Sequence, residues 1–171
     1  MNLKHYTKFK LYALYFLSFT NRGFINFVLK NSKISKSQVY QDLFVIFYSK
    51  LKRKGKFIEI GGGNGIDLSN SYLLESKFEW EGIICEPDQR SISKILKNRK
   101  AKLDKRGLSD ECRKQVFFYE NKDPYLSSFG DLNTGCKRYK IDTVCLNCFF
   151  NFHKLKNIDY ISIDTEGNEL D

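Results

Sequence analysis

From about residue 36 onward, short apolar runs end in glycine or proline and alternate with stretches of helical spacing. Lys56 to Ile60 reads as a strand, followed by the tight bend Gly61-Gly62-Gly63-Asn64-Gly65. Asp67 or Ser69 is placed to cap a helix running to about Ser76 and carrying Tyr72, Leu73 and Leu74. After a turn at Glu81-Gly82, Gly82 to Glu86 forms a second strand stopped by Pro87, and 88–99 has helical spacing. Strand patterns recur around 104–108, at Gln115 to Glu120 and around Lys137 to Ile141. They frame a loop-rich stretch and precede a helix over about 145–153. Ile158 to Asp164 reads as the clearest buried strand.

Upstream, residues 1 to about 34 read as helical with a break near Asn31-Ser32, and 36–52 as a helix with Ser37 at its N-cap. The organisation expected is an N-terminal helical extension over 1–35 and one domain over 36–171. Strands alternating with helices imply right-handed βαβ units and a parallel sheet.

Composition sharpens this only in places. Fifteen Phe and ten Tyr supply core bulk, and 42% hydrophobic with 29% charged residues is a globular balance that excludes disorder throughout. The net charge of +9 comes mostly from scattered lysines, grouped at Lys50 to Lys56 and at Lys94 to Arg106. These read as solvated faces, and no basic-aromatic stripe points to nucleic acid. Lys4, Lys8 and Lys10 precede the apolar run Leu11 to Phe19, which lacks a cleavage site and is too short to span a membrane. An amphipathic helix packing on the domain is expected, with weak membrane-surface contact as the alternative.

Five cysteines lack regular spacing. Cys145 and Cys148 form a lone C-x-x-C in an apolar run, where a zinc site would need two more ligands and only Cys136 and His153 lie near in sequence. Buried structural thiols are the expectation, no metal is expected, and free thiols fit a reducing cytoplasm.

The residues that carry chemistry fall at strand C-terminal ends, where open α/β sheets bind ligands. The first strand ends in an E-x-G-x-G-x-G pattern of Glu59, Gly61, Gly63 and Gly65. The dinucleotide fingerprint G-x-G-x-x-G would need its third glycine at position 66, which is Ile66. A nucleoside cofactor without a phosphate at the helix start fits better, S-adenosylmethionine being one. Glu86, ending the second strand, can accept ribose hydroxyls. Asp164, Glu166 and Glu169 crowd the end of the last strand, where they could orient an acceptor hydroxyl, take its proton, or simply start a helix.

Ser37-Gln38, Gln41-Asp42, then FIEIGGGNGIDLSNSYLLE, GIICEPD and IDYISIDTEGNE follow in order. Together they resemble the FkbM family of methyltransferases over about residues 36–171. That resemblance implies a Rossmann-like class I methyltransferase sandwich, a mostly parallel sheet with helices on both faces. It implies S-adenosyl-L-methionine as cofactor, with Gly61, Gly63 and Gly65 at its amino-acid end, Glu59 beside them, Glu86 on the ribose and Asp110 near the adenine. Asp164 and Glu166 would face the transferred methyl, and His153 is expected to be structural. The acceptor implied is a hydroxyl of a small molecule or glycan, as in polysaccharide biosynthesis.

Against the class I pattern the sheet is expected to be incomplete at its C-terminus, with the last strands missing and a partner chain able to supply them. The rival to an enzyme is a cofactor- or glycan-binding remnant that needs such a partner. A nicotinamide-dependent enzyme is disfavoured by Ile66.

Overall fold

The computed structural model describes residues 21–112, 114–121, 128–129 and 137–164. In chain order the elements are α1 (Arg22–Asn31), α2 (Gln41–Tyr48), β1 (Lys56–Ile60), α3 (Tyr72–Phe78), β2 (Glu81–Cys85), α4 (Gln89–Asn98) and β3 (Lys102–Asp104). There follow β4 (Gly107–Leu108), β5 (Gln115–Glu120), β6 (Ser128–Phe129), β7 (Lys137–Val144), α5 (Leu146–Phe152) and β8 (Tyr160–Ile163). The segments 1–20 and 165–171, which include Glu166 and the apolar run at Leu11, lie outside the described residues, as does Cys136.

Among the described residues the strands form two four-stranded sheets, in the orders β3-β2-β1-β8 and β4-β7-β5-β6. The first is wholly parallel, with Ile60 opposite Cys85 on one side of β1 and Ile163 on the other. In the second, β4 runs parallel to β7, whereas β5 is antiparallel to β7 and to β6. The alternation of β1 and β2 divides the core. Phe57 and Ile84 face one way, into a cluster with Phe24, Leu43, Ile46, Leu73, Leu74 and Ile95 from α1 to α4. Ile58, Ile60, Ile83 and Cys85 face the other way, against Val144 of β7 and Phe149 of α5. Helices therefore cover both faces, which is why β1 reads as an unbroken apolar run apart from Glu59. Each such large side chain, once fully buried, contributes about 1.5–3 kcal/mol.

The expected helix over 36–52 forms only from Gln41, and Ser37 is not its cap. The Asp42 carboxylate is fully buried and pulls the preceding chain around itself. It accepts from the Ser35 and Ser37 hydroxyls at 2.7 Å each, from Lys36 N at 2.9 Å and from Leu43 N at 2.7 Å. Side-chain capture of backbone donors outcompetes a helix start there, and Ser37 instead bridges to Leu68 beyond the glycine bend.

Two further expectations are corrected. The strand expected around 104–108 is two strands in different sheets. Asp104 turns the chain between them, accepting from Arg106 N at 3.0 Å and from its guanidinium. The last strand is not buried: β8 borders the first sheet among the described residues, with Ile161 and Ile163 exposed. No described helix is long and apolar enough to cross a membrane.

Replacing Asp42 with Asn puts an amide donor among four groups that all donate. The expected cost is about 2–3 kcal/mol of unfolding free energy, read as a lower urea midpoint with unchanged slope.

Candidate functional site

The parallel register carries the ends of β1, β2 and β8 to one rim of the first sheet. Gly61 leaves β1 with φ +84°, and a Cβ on it would lie 1.9 Å from the carbonyl oxygen of Asp164. Only a glycine lets the bend pass so close to the β8 exit in that backbone conformation. Gly61 N donates to Cys85 O at 2.9 Å and Asp164 N to Ile60 O at 3.0 Å, fastening all three exits together. Asn64 then shapes the bend, its Oδ1 accepting from Ile66 N at 2.9 Å and Asp67 N at 2.8 Å.

Glu86 lies across this rim and is 7% exposed. Its Oε2 accepts from Gly63 N at 2.9 Å and its Oε1 from Asp88 N at 2.8 Å. Burial pushes the Glu86 carboxyl up to about 7, against the pull of these backbone donors in the opposite direction. A carboxylate has about four acceptor sites, so these contacts leave capacity for hydroxyl donors. Gly61, Gly63, Glu86 and the Asp164 backbone thus meet at one place, and Gly65 closes the bend. The Asp164 side chain is exposed at the rim.

Glu59, expected beside the cofactor, lies beneath the bend instead. Its carboxylate is 1% exposed and accepts from the Ser69 and Ser71 hydroxyls and from Asn70 N. Arg99, whose side chain is wholly buried, sits against it at 3.3 Å and against Glu75 at 3.3 Å. Arg99 also donates to Gly65 O at 3.0 Å and to the Ser71 hydroxyl at 2.8 Å. Ser69 Oγ accepts from Tyr72 N at 3.0 Å in the turn before α3, whose N-cap position is Ser71 and not the expected Asp67 or Ser69.

Asp110, expected near the adenine, follows β4 of the second sheet, is exposed, and accepts from the Ser109 hydroxyl at 3.0 Å. Glu166 lies outside the described residues. His153 pairs with Asp104 at 2.8 Å, which fits a structural part.

Sequence reasoning missed Arg99, Glu75 and Asn70. Asn70 Nδ2, just before α3, donates to Ser162 Oγ of β8 at 2.8 Å, while its Oδ1 is buried without a hydrogen-bond partner among the described residues. The S-N-S run after the bend was the available signal for Asn70. Arg99 carried none, since its partners are distant in sequence. An apolar groove of about 210 Å³, lined by Phe24, Val39, Tyr40, Phe44 and Tyr160 among others, shares no residue with the glycine bend.

In open α/β sheets ligands bind at the C-terminal rim of the strands, which is where the glycine bend and the buried Glu86 carboxyl meet here. Residues 59–171 match the model of the methyltransferase FkbM domain, and the chain belongs to that methyltransferase family. No curated protein and no solved structure matches it.

Two outcomes are expected. Glu59→Gln leaves the Arg99 charge less compensated in the interior and should cost about 3 kcal/mol in chemical denaturation; an unchanged midpoint would refute the clamp. Glu86 binds its proton more tightly folded than unfolded. Its contribution to stability is therefore complete below its ordinary value near 4.5 and is lost as pH rises through about 7. The ligand-free protein should lose up to about 3 kcal/mol across that window. Subtracting the profile of Glu86→Gln should remove that slope.

Proposed function

We propose that the chain binds S-adenosyl-L-methionine at the β1–β2 rim and methylates a hydroxyl of a sugar or glycan. The observation that carries this reading is the hydrogen bond from Gly63 N to Glu86 Oε2 at 2.9 Å, across parallel strands held in register. It joins a glycine bend, in which a Cβ at Gly61 or Gly62 would clash, to a buried acceptor suited to a ribose diol. When bound, the cofactor supplies a methyl group on a positively charged sulfur. The remaining work falls to this chain: Glu86 accepts the ribose hydroxyls, the Gly61–Gly65 backbone lines the amino-acid end, and Asp164 at the rim orients the acceptor hydroxyl and takes its proton. Glu166 is the second candidate for that base. Holding the acceptor in line supplies much of the rate, because the methyl is already activated. Glu59 acts here as a positioning residue beneath the bend.

One observation favours a second reading, in which the chain binds the cofactor but needs further strands before it can act. Ile161 and Ile163 leave an apolar edge on β8 open among the described residues. A partner chain could supply those strands.

Calorimetry with S-adenosylmethionine tests the first step. Ribose hydroxyls donating to Glu86 require its charged form, so affinity should rise about tenfold per pH unit below about 7 and level off above it. Glu86→Ala should weaken binding by about 10–100-fold. No binding by a folded chain sinks the cofactor assignment, and binding without transfer to sugar hydroxyls supports the second reading. With an acceptor in hand, Asp164→Asn should lower turnover on the order of a hundredfold while cofactor affinity stays unchanged. An equal loss of both would exclude Asp164 as the base.

A further inference from the structure

The C-x-x-C of Cys145 and Cys148 is not part of an apolar interior. Cys148 is exposed and Cys145 half-buried, and the fold brings a third thiol to them, that of Cys112 from the turn after β4. The three sulfur atoms all lie within 4.8 Å of one another. Cys145 stands at the junction of β7 and α5, and Cys148 lies in the first turn of α5. Cys145 N donates to Cys112 Sγ at 3.2 Å, a backbone donor of the kind that supports a metal-bound thiolate.

We propose that Cys112, Cys145 and Cys148 form a binding site for one thiophilic divalent cation of the zinc class. Three thiolates come from the chain, and the fourth position opens on the solvent side at Cys148. In a tetrahedral site with metal–sulfur bonds of about 2.3 Å, neighbouring sulfurs stand roughly 3.8 Å apart. The observed cluster needs to tighten by no more than about an ångström to reach that spacing. A disulfide would instead need two sulfurs at about 2.05 Å and would leave the third thiol over. The chemistry also explains why two segments distant in the chain, the turn after β4 and the C-x-x-C at the start of α5, present cysteines at one place. A bound cation would close the stretch between Cys112 and Cys145, which includes β5, β6 and β7, and fasten the second sheet to α5.

The scaffold around the cluster is already set. Thr143 Oγ1 donates to Glu111 O at 2.9 Å and Thr143 N to Lys114 O at 2.8 Å, fixing the turn that carries Cys112 against the end of β7. The His153 ring is held by Asp104, at the other end of α5, so it is not the fourth ligand.

The full chain, purified under reductant and stripped of metal, is titrated with Co²⁺. One equivalent should give the visible ligand-field bands of a tetrahedral thiolate site and a near-ultraviolet charge-transfer band, both erased by Zn²⁺. Zn²⁺ should also raise the melting temperature of the chain. Cys148→Ser, an exposed position expected to fold, should weaken Co²⁺ binding by at least about tenfold and remove the thermal shift. Cys112→Ser should do the same with its circular dichroism checked. A folded, reduced chain that gives no such bands overturns the proposal, as does binding unaffected by Cys148→Ser. Recovery of a disulfide among the three from anaerobically prepared protein overturns it in favour of a redox pair.

Discussion

The ion cluster of Arg99 with Glu59 and Glu75 is the constraint on which the rim of the first sheet depends. A guanidinium with no exposure must be matched by charge and hydrogen bonds, because leaving it unpaired in the interior costs several kcal/mol. Here each donor has a structural consequence. The bond to Gly65 O closes the glycine bend, and the bonds to Ser69 and Ser71 hold the turn that starts α3. The Glu75 carboxylate that pairs with Arg99 also accepts from Lys100 N and Ala101 N, fixing the step from α4 into β3. Phe57 and Tyr72 flank the guanidinium at 5.6 and 5.7 Å, so the charge also meets aromatic faces. The site is preorganised from below.

What could be read from the residues follows from how local each signal is. The strand at Lys56 to Ile60 and the helix after Asp88 were legible because their determinants lie within a few residues. An apolar run meets a glycine bend in the first case. In the second, an aspartate accepts from Arg90 N at 2.8 Å. The failures are all cases of longer reach. Asp42 gathers donors from residues 35 to 37 and so shortens a helix that the spacing alone extends to Ser37. The exposure of β8 could not be read from an apolar run that looks alike at the centre or the edge of a sheet. Cys112 sits 33 residues before Cys145 in the chain, and the pairing of β7 with β4 and β5 brings them together.

The glycine bend was the most legible part of the site, and its meeting with Glu86 follows from parallel pairing. Two adjacent parallel strands in register must end side by side, so the residues that follow them face a common rim. Asp164 joins the same rim because β8 is the other neighbour of β1. Strand order, more than the glycine pattern itself, makes those residues one site.

The two glutamates of this region look equivalent along the chain, each ending or nearly ending a strand, yet the fold treats them oppositely. Glu59 is saturated: hydroxyl, amide and guanidinium donors converge on it, and little acceptor capacity is left for a ligand. Glu86 is buried, accepts from backbone donors that include Gly63 N and Asp88 N, and pairs with no cation among the described residues; burial raises its proton affinity. Counting donors thus separates a carboxylate already satisfied by the fold from one with acceptor capacity left. The first holds the glycine bend in shape, and the second can still accept from a further hydroxyl.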